Sequence, residues 1–502
     1  ADSDRTARRH PAGRRALRLM PFNRLLNVIG AVVGAIGAAM LAPALVALIY
    51  RETDDAWQIA LAAVVTMVAG GWAWFHGRSE HAQLATREGF AIVGLSWIAM
   101  TFFGTLPYIF TGEIVNLTDA FFETAAGYST TGASIVPDPG ELPKGILLWR
   151  ALTQWMGGMG IIVLSVAILP LLGVGGVELA RAESPGPTPD RLTPRFRETA
   201  KRLWLVYVAF TVAEALLLWA GDMTLFEAIA HAFTTMSTGG FGTDVQSLGG
   251  FSAYAQWVVI VFMFLAGTSF ALHFRALTKP RDYLKNAEFR LYSSIVLVAT
   301  LVAVIGTWAD EIGDVIRESL FTMTSLVTTT GYATADFGIW PASLQIMVFG
   351  LMFVGGMAGS TGGSMKPYRL GVLYQASKTD LRKVIHPRGI FIVRLGRDVV
   401  PDEIIKSVQS FFLLYMFIFM TGTLAFGIIT DIAGSGFDLV SSASAVASSF
   451  GNVGPGLGAV GPSSNYVAVP DAGKWLLSFL MIVGRLEIFP VVLLFTRELW
   501  RR

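Results

Sequence analysis

Four short runs of small and hydroxyl residues, each built on a glycine, interrupt apolar sequence at intervals of 107, 92 and 120 residues. They read Ser129-Thr130-Thr131-Gly132-Ala133, Met236-Ser237-Thr238-Gly239-Gly240, Thr328-Thr329-Thr330-Gly331-Tyr332 and Ser448-Ser449-Phe450-Gly451-Asn452. Two positions before the glycines taken as equivalent (Gly132, Gly239, Gly331, Gly451) stand Thr130, Ser237, Thr329 and Ser449. Recurrence at a regular interval marks a repeated unit, and a repeat constrains the whole fold.

The sequence around these runs belongs in a bilayer. Residues are 53% hydrophobic and 15% charged, against about 25% charged in soluble domains. Apolar segments long enough to cross roughly 30 Å of hydrocarbon fall at 27–50, 56–75, 90–110, 145–172, 200–220, 252–277, 290–308, 341–374, 405–430 and 473–497. The stretch Asp119–Thr130 is about 18 Å long as a helix, too short to cross. It is therefore expected to enter the membrane and return, as are 225–237, 315–329 and 437–449. Asp119, Glu227, Glu318 and Asp438 open these short helices, where a carboxylate favours the positive end of the helix dipole.

Backbone that is neither helix nor barrel survives at membrane depth only when buried in protein or facing water. The four loops are thus expected to meet on one axis. The expected fold is an all-α polytopic membrane protein with about ten crossings. Four pseudo-symmetric helix–pore-loop–helix units (88–178, 198–280, 286–378 and 402–502) surround one pore. An N-terminal helical hairpin (25–80) and a basic arm (1–24) precede them. The long apolar stretch from Leu25 to Tyr50 reads as an anchor rather than a cleaved signal, and the arm is suited to anionic lipid.

Charge sets an orientation. Of the 38 Lys and Arg, 32 fall on one side of the expected crossings, which the positive-inside rule assigns to the cytoplasm together with both termini. The other side carries 19 carboxylates, from Glu52 to Asp471, and five basic residues, Arg51, Lys144, Arg150, Arg317 and Lys474. An acidic mouth concentrates cations. With no cysteine and six scattered histidines, disulfides and a resident metal centre are not expected; His231 reads as a helix-contact residue. No HExxH, nucleophile elbow or Walker motif is present, so neither an enzyme nor an organic cofactor is expected. Nucleic acid is not an expected partner; the lipid bilayer is.

Hydroxyls and glycine carbonyls without a carboxylate suit a weakly held monovalent cation. Two further features bear on its passage. The eighth apolar segment contains Gly355-Gly356-Met357-Ala358-Gly359-Ser360-Thr361-Gly362-Gly363-Ser364, and each glycine costs a helix about 1 kcal/mol. Arg485 lies within the last apolar segment, where an arginine is costly and faces a partner or water. Glu487 is the alternative, a simple salt-bridge partner.

Taken together, the four loops, Thr329-Thr-Gly-Tyr-Ala-Thr-Ala-Asp-Phe337, Asn452-Val-Gly-Pro-Gly-Leu-Gly458 and Gly484-Arg-Leu-Glu-Ile-Phe489 resemble the TrkH-type membrane subunit of bacterial potassium uptake systems, within the Trk/Ktr/HKT superfamily. The resemblance covers nearly the whole chain. It implies potassium as the transported ion and a filter formed by Thr130, Thr131, Gly132, Ser237, Thr238, Gly239, Thr329, Thr330, Gly331, Ser449, Phe450, Gly451 and Asn452. Gly132 stands where sodium-preferring plant relatives carry serine. The resemblance also implies a gate of Gly355, Gly356, Gly359, Ser360, Thr361, Gly362 and Gly363 beneath the filter, with Arg485 as an electrostatic barrier. A homodimer on a TrkA-type nucleotide-binding cytoplasmic regulatory ring, in the bacterial inner membrane, follows from the same source. The basic 181–202 and 366–406 segments are its candidate contacts. Two departures stand out: Phe450 interrupts the hydroxyl pattern, and Met357 stands near the place of a cysteine common in the family. The competing reading is a repeat-built secondary transporter for an organic solute, or a sodium-coupled carrier.

Overall fold

The computed structural model describes residues 22–78, 86–167, 192–308 and 312–500. Helices dominate, and the strand pair Arg394–Leu395 with Asp398–Val399 is a two-residue antiparallel ribbon. Among the described residues, six helices have the length and apolarity to cross a membrane: Phe22–Ile49, Thr53–His76, Glu88–Thr111, Glu198–Trp219, Ala287–Gly306 and Asp402–Ala433. Each overlaps a segment picked out by the sequence.

Of the other four apolar segments, three are broken. Lys144–Ala167 covers most of one, and the remainder lies outside the described residues. Ala253–Ala266 and Phe270–Ala276 meet at a 98° bend. There, the Gly267 carbonyl accepts from the Met357 amide and the Ala266 carbonyl from the Thr361 hydroxyl. Carbonyls spent on a neighbouring segment are lost to the helical ladder, a recognised cause of a kink. Ala342–Leu351 and Pro367–Ile385 are separated by the glycine-rich stretch. Asp471–Arg485 is separated from Phe489–Leu494 by a break in which Glu487 and Ile488 have φ of 56° and 68°.

The N-terminal hairpin packs backbone against backbone. A Cβ on Gly30, Gly37, Gly70 or Gly77 would fall within 3.0 Å of the opposing helix, the close approach that small residues permit between membrane helices. Trp57, Val68 and Trp72 remain exposed, as suits a face turned to lipid.

Four short helices carry the loops: Leu117–Tyr128, Leu225–Met236, Ile312–Thr328 and Leu439–Gly451. Their starts are built from local side chains. Asn116 accepts from the Thr118 amide, Thr224 and Glu227 form a capping box, and Asp438 accepts from the Ser441 amide. Such caps satisfy amides left without intrahelical partners. The third helix departs from expectation: Asp314 occupies its first turn, and Glu318 lies a turn further inside. The charge that complements this dipole is therefore Asp314, not Glu318.

Candidate ion pathway

Each short helix ends in the same backbone device. Thr130, Thr238, Thr329 and Asn452 adopt the left-handed region, with φ of 52°, 54°, 59° and 56°. The next residues, Thr131, Gly239, Thr330 and Val453, turn their amides back to the carbonyls of Ala126, Thr234, Ser325 and Ser448 at 2.8–2.9 Å. The residues after those, Gly132, Gly240, Gly331 and Gly454, have φ of 78°, 79°, 82° and 104°, a region glycine enters without penalty.

This repeat corrects the sequence register. Gly132 and Gly331 are equivalent, but their counterparts are Gly240 and Gly454, not Gly239 and Gly451. The second loop holds a glycine doublet, and the fourth helix continues through Gly451 before it breaks. Ser449 and Phe450 consequently belong to the helix's last turn, and Asn452 rather than Ser449 matches Thr130. Phe450 aligns with Tyr128 and Met236, an apolar position. Its ring lies 4.3 Å from that of Tyr415. The apparent break in the hydroxyl pattern came from aligning the wrong glycine.

The four loops form a closed ring. A Cβ on Gly132 would lie within 3.0 Å of the Gly239 carbonyl oxygen, and one on Gly240 as close to that of Thr330. Gly331 stands in the same relation to Val453, and Gly454 to Thr131. Thus loop one abuts two, two abuts three, three abuts four, and four returns to one. All four glycines line one open cavity of 140 Å³.

Buried side chains brace the ring. Gln154 donates to the Gly239 carbonyl at 2.7 Å and accepts from the Phe241 amide at 3.1 Å. Asn452 donates to Thr131 Oγ1 at 3.0 Å and to the Met481 carbonyl at 2.9 Å. Hydroxyl pairs Ser129–Thr131 and Thr328–Thr330, at 2.6 and 2.7 Å, recur in loops one and three. Ser237 turns back to the Phe233 carbonyl. On the cavity wall Arg150 pairs with Glu123 at 2.9 Å, both buried. Arg150 also reaches Ser134 of loop one and the Gly242 carbonyl of loop two.

Three of the five basic residues assigned to the mouth are thus paired: Arg150 with Glu123, Arg317 with Asp314 and Lys474 with Asp119. Burial, then the neighbouring Asp55 and Glu52, push the Glu113 carboxyl up. Hydrogen bonds from the Ser441 hydroxyl and amide hold Asp438 below the usual carboxylate range, so its charge stays at the helix start. His231 is buried with Nδ1 against the Glu227 carbonyl at 2.9 Å. No group of metal-ligating side chains occurs among the described residues.

The glycine-rich stretch lies against the helix-end side of the ring. Met357 bonds Gly267, and Gly355 bonds Met365 at 2.9 Å. Ser360 closes a turn on the Met357 carbonyl, and Gly359 has a φ of 79°. Thr361 Oγ1 donates to the Met236 carbonyl at 3.1 Å, the Gly363 amide to Thr329 Oγ1 at 2.7 Å, and Ser364 to the Gly451 carbonyl at 3.1 Å. Gly356 and Gly362 pack against one another. One segment therefore touches the helix ends or loops of units two, three and four. Arg485 supplies the remaining contact, donating to the Thr361 carbonyl at 2.5 Å and to Gly157 of unit one at 3.2 Å. The simple Arg485–Glu487 pair does not form. Glu487 pairs with Arg369, whose guanidinium also lies 3.9 Å from the centre of the Phe411 ring.

A ring of four equivalent loops with an arginine-pinned segment beside it matches a known architecture. The family model described as TrkH, cation transport protein, matches residues 56–501. The chain belongs to the TrkH family. It is 38% identical to the Trk system potassium uptake protein TrkH of Vibrio parahaemolyticus over 96% of this chain and all of the relative. The same identity and coverage hold for TrkH of Escherichia coli K12. Escherichia coli TrkG is 34% identical over 95% of this chain and 98% of the relative. The crystal structure of the potassium transporter TrkH from Vibrio parahaemolyticus superposes with a TM-score of 0.87. It shares 36% identity and covers 96% of this chain and all of that one.

In this TrkH-family chain, sequence reasoning missed Gln154, the Glu123–Arg150 pair, Lys366 and Arg369. A signal existed. Each is a strongly polar residue within or bordering apolar sequence, where such groups mark a function or a partner.

Proposed function

We propose that this chain conducts potassium across the bacterial inner membrane, with the ring of four loops as its selectivity filter. The observation that carries the reading is the closed cycle of glycine–carbonyl contacts. Four equivalent turns around one cavity provide a cage of backbone oxygens, and the loop segments contain no carboxylate to trap a divalent ion. The C-terminal, electronegative ends of the four short helices lead into the loops and favour a cation there. The names of its relatives, potassium uptake proteins, support the choice of ion.

In this reading ions gather at the acidic mouth, shed water in the ring, and meet the glycine-rich stretch pinned by Arg485. That segment is the gate, and Arg485 is its barrier. Both termini face the cytoplasm, where a nucleotide-binding TrkA-type ring opens a homodimer. The chain itself performs no catalysis and needs no organic cofactor. A carrier built from two inverted halves is disfavoured by the fourfold equivalence of the turns.

The test is radiolabelled rubidium uptake by proteoliposomes containing the purified chain, driven by an outward potassium gradient. Uptake is expected without sodium or any organic solute. A strict requirement for either would replace the channel reading with the carrier reading.

A further inference from the structure

The glycine-rich stretch is held by a second buried cation. Lys366 is 6% exposed, and its Nζ donates to the Gly362 carbonyl and, at 3.3 Å, to that of Gly363. The preceding carbonyl, Thr361, is the one taken by Arg485. Three consecutive carbonyls of one segment are therefore capped by positive charge. Neither Lys366 nor Arg485 enters an ion pair among the described residues. Of the nearby carboxylates, Glu487 pairs with Arg369, and Glu288 accepts the amides of Ala358 and Tyr368. Burying a charge is expensive; with no carboxylate in ion-pair contact among the described residues, the groups that touch this ammonium are the carbonyl dipoles of Gly362 and Gly363.

An ammonium held by backbone carbonyls is chemically close to a potassium ion in the same place, since both are compact monovalent cations without directional demands. Lysine suits this role and arginine does not, because a guanidinium is a planar fork rather than a point charge. The site adjoins the ring. Gly363 bonds Thr329, and a Cβ on Gly363 or Gly362 would fall against the Gly451 carbonyl or at 3.0 Å from that of Thr328. The carbonyls that Lys366 occupies therefore belong to residues that adjoin the helix-end side of the ring.

We propose that Lys366 is a tethered cation that fills a carbonyl site in the glycine-rich stretch and is displaced by the permeating ion, so that ion entry and release of the segment are coupled. This rests on the channel reading above. Lys366 acts as a positioning residue: it holds the closed segment, and the transported ion competes with it.

The experiment is rubidium influx into proteoliposomes across a range of external rubidium, for the parent, Lys366→Met, Lys366→Arg and Arg485→Ala, with potassium-dependent thermal stability measured on each purified full chain. In the parent, influx is expected to rise more steeply than in proportion to rubidium. Lys366→Met is expected to raise influx at low rubidium by roughly tenfold, a population shift typical of one lost buried contact, and to make the dependence hyperbolic. It also vacates the carbonyls, so potassium is expected to raise its Tm more than that of the parent, as ligand linkage requires. Lys366→Arg keeps the charge but not the point-charge fit, so it is expected to raise influx at low rubidium, though less than Lys366→Met. A Lys366→Met protein with parental stability, an unchanged potassium-dependent Tm shift and parental influx overturns the proposal. Failure of the channel reading looks different: the parent and Arg485→Ala then pass no rubidium at any concentration.

Discussion

Alanine at Gly240 is expected to lower rubidium flux by at least tenfold, whereas alanine at Gly239 leaves most of it. The two glycines are adjacent, yet their surroundings differ. Gly240 has a φ of 79°, and its added Cβ would strike the Thr330 carbonyl of the next loop. Holding alanine in that region costs about 1–3 kcal/mol, and overpacking against backbone adds about 1–3 kcal/mol. The next loop cannot retreat without opening the ring. At Gly239 the new methyl meets the side chain of Gln154, which can swing away. The loss there is the two Gln154 hydrogen bonds, to the Gly239 carbonyl and from the Phe241 amide, about 1 kcal/mol each. Flux assays on both variants, with Tm as the folding control, decide between the structural register and the register read from sequence. The latter makes Gly239 the indispensable residue. A larger loss at Gly239 than at Gly240 contradicts the ring described here.

Removal of the Arg485 guanidinium is expected to raise rubidium flux of the purified chain by roughly ten- to thirtyfold. A fixed positive charge roughly 8 Å from a permeating cation opposes it by about 2 kcal/mol at an effective dielectric constant of 20. Arg485 also pins the glycine-rich stretch, joining Thr361 to Gly157 of unit one. Alanine removes the charge and the link together. Lysine retains the charge but bonds a single site as a point charge, so Arg485→Lys is expected to stay close to the parent if repulsion dominates. Leak in both variants would place the weight on the bidentate link instead. Parental flux in a folded Arg485→Ala protein would remove Arg485 from the barrier.

Much of this was legible in the sequence, for physical reasons that also explain what was not. The apolar segments stand out because water-free surroundings demand uninterrupted hydrophobic helix. The short helices announce themselves through length and through opening carboxylates such as Asp119 and Glu227. Arg485 and the glycine-rich stretch are conspicuous because both are costly where they sit. Register within the loops was not legible. It depends on where each short helix stops, and the fourth helix runs through a glycine at Gly451 because the left-handed turn comes at Asn452. A local pattern of hydroxyls and glycines cannot report that choice. The pairings of Glu123 with Arg150 and Glu487 with Arg369 join residues 27 and 118 positions apart. Only the packed fold brings them together.

The most direct measurement is competition of potassium and sodium against rubidium uptake, in proteoliposomes carrying the parent or Gly132→Ser. Gly132 has a φ of 78°, and a side chain there would press on the Gly239 carbonyl of the neighbouring loop. The ring's oxygens would have to shift, and with them the cage proposed to fit a larger bare cation. In the parent, potassium is expected to suppress rubidium uptake at far lower concentration than sodium. In Gly132→Ser that gap is expected to shrink by at least about tenfold, or 1.4 kcal/mol. A serine variant that folds, conducts and keeps the parental competition profile would contradict the claim that these four loops select the ion.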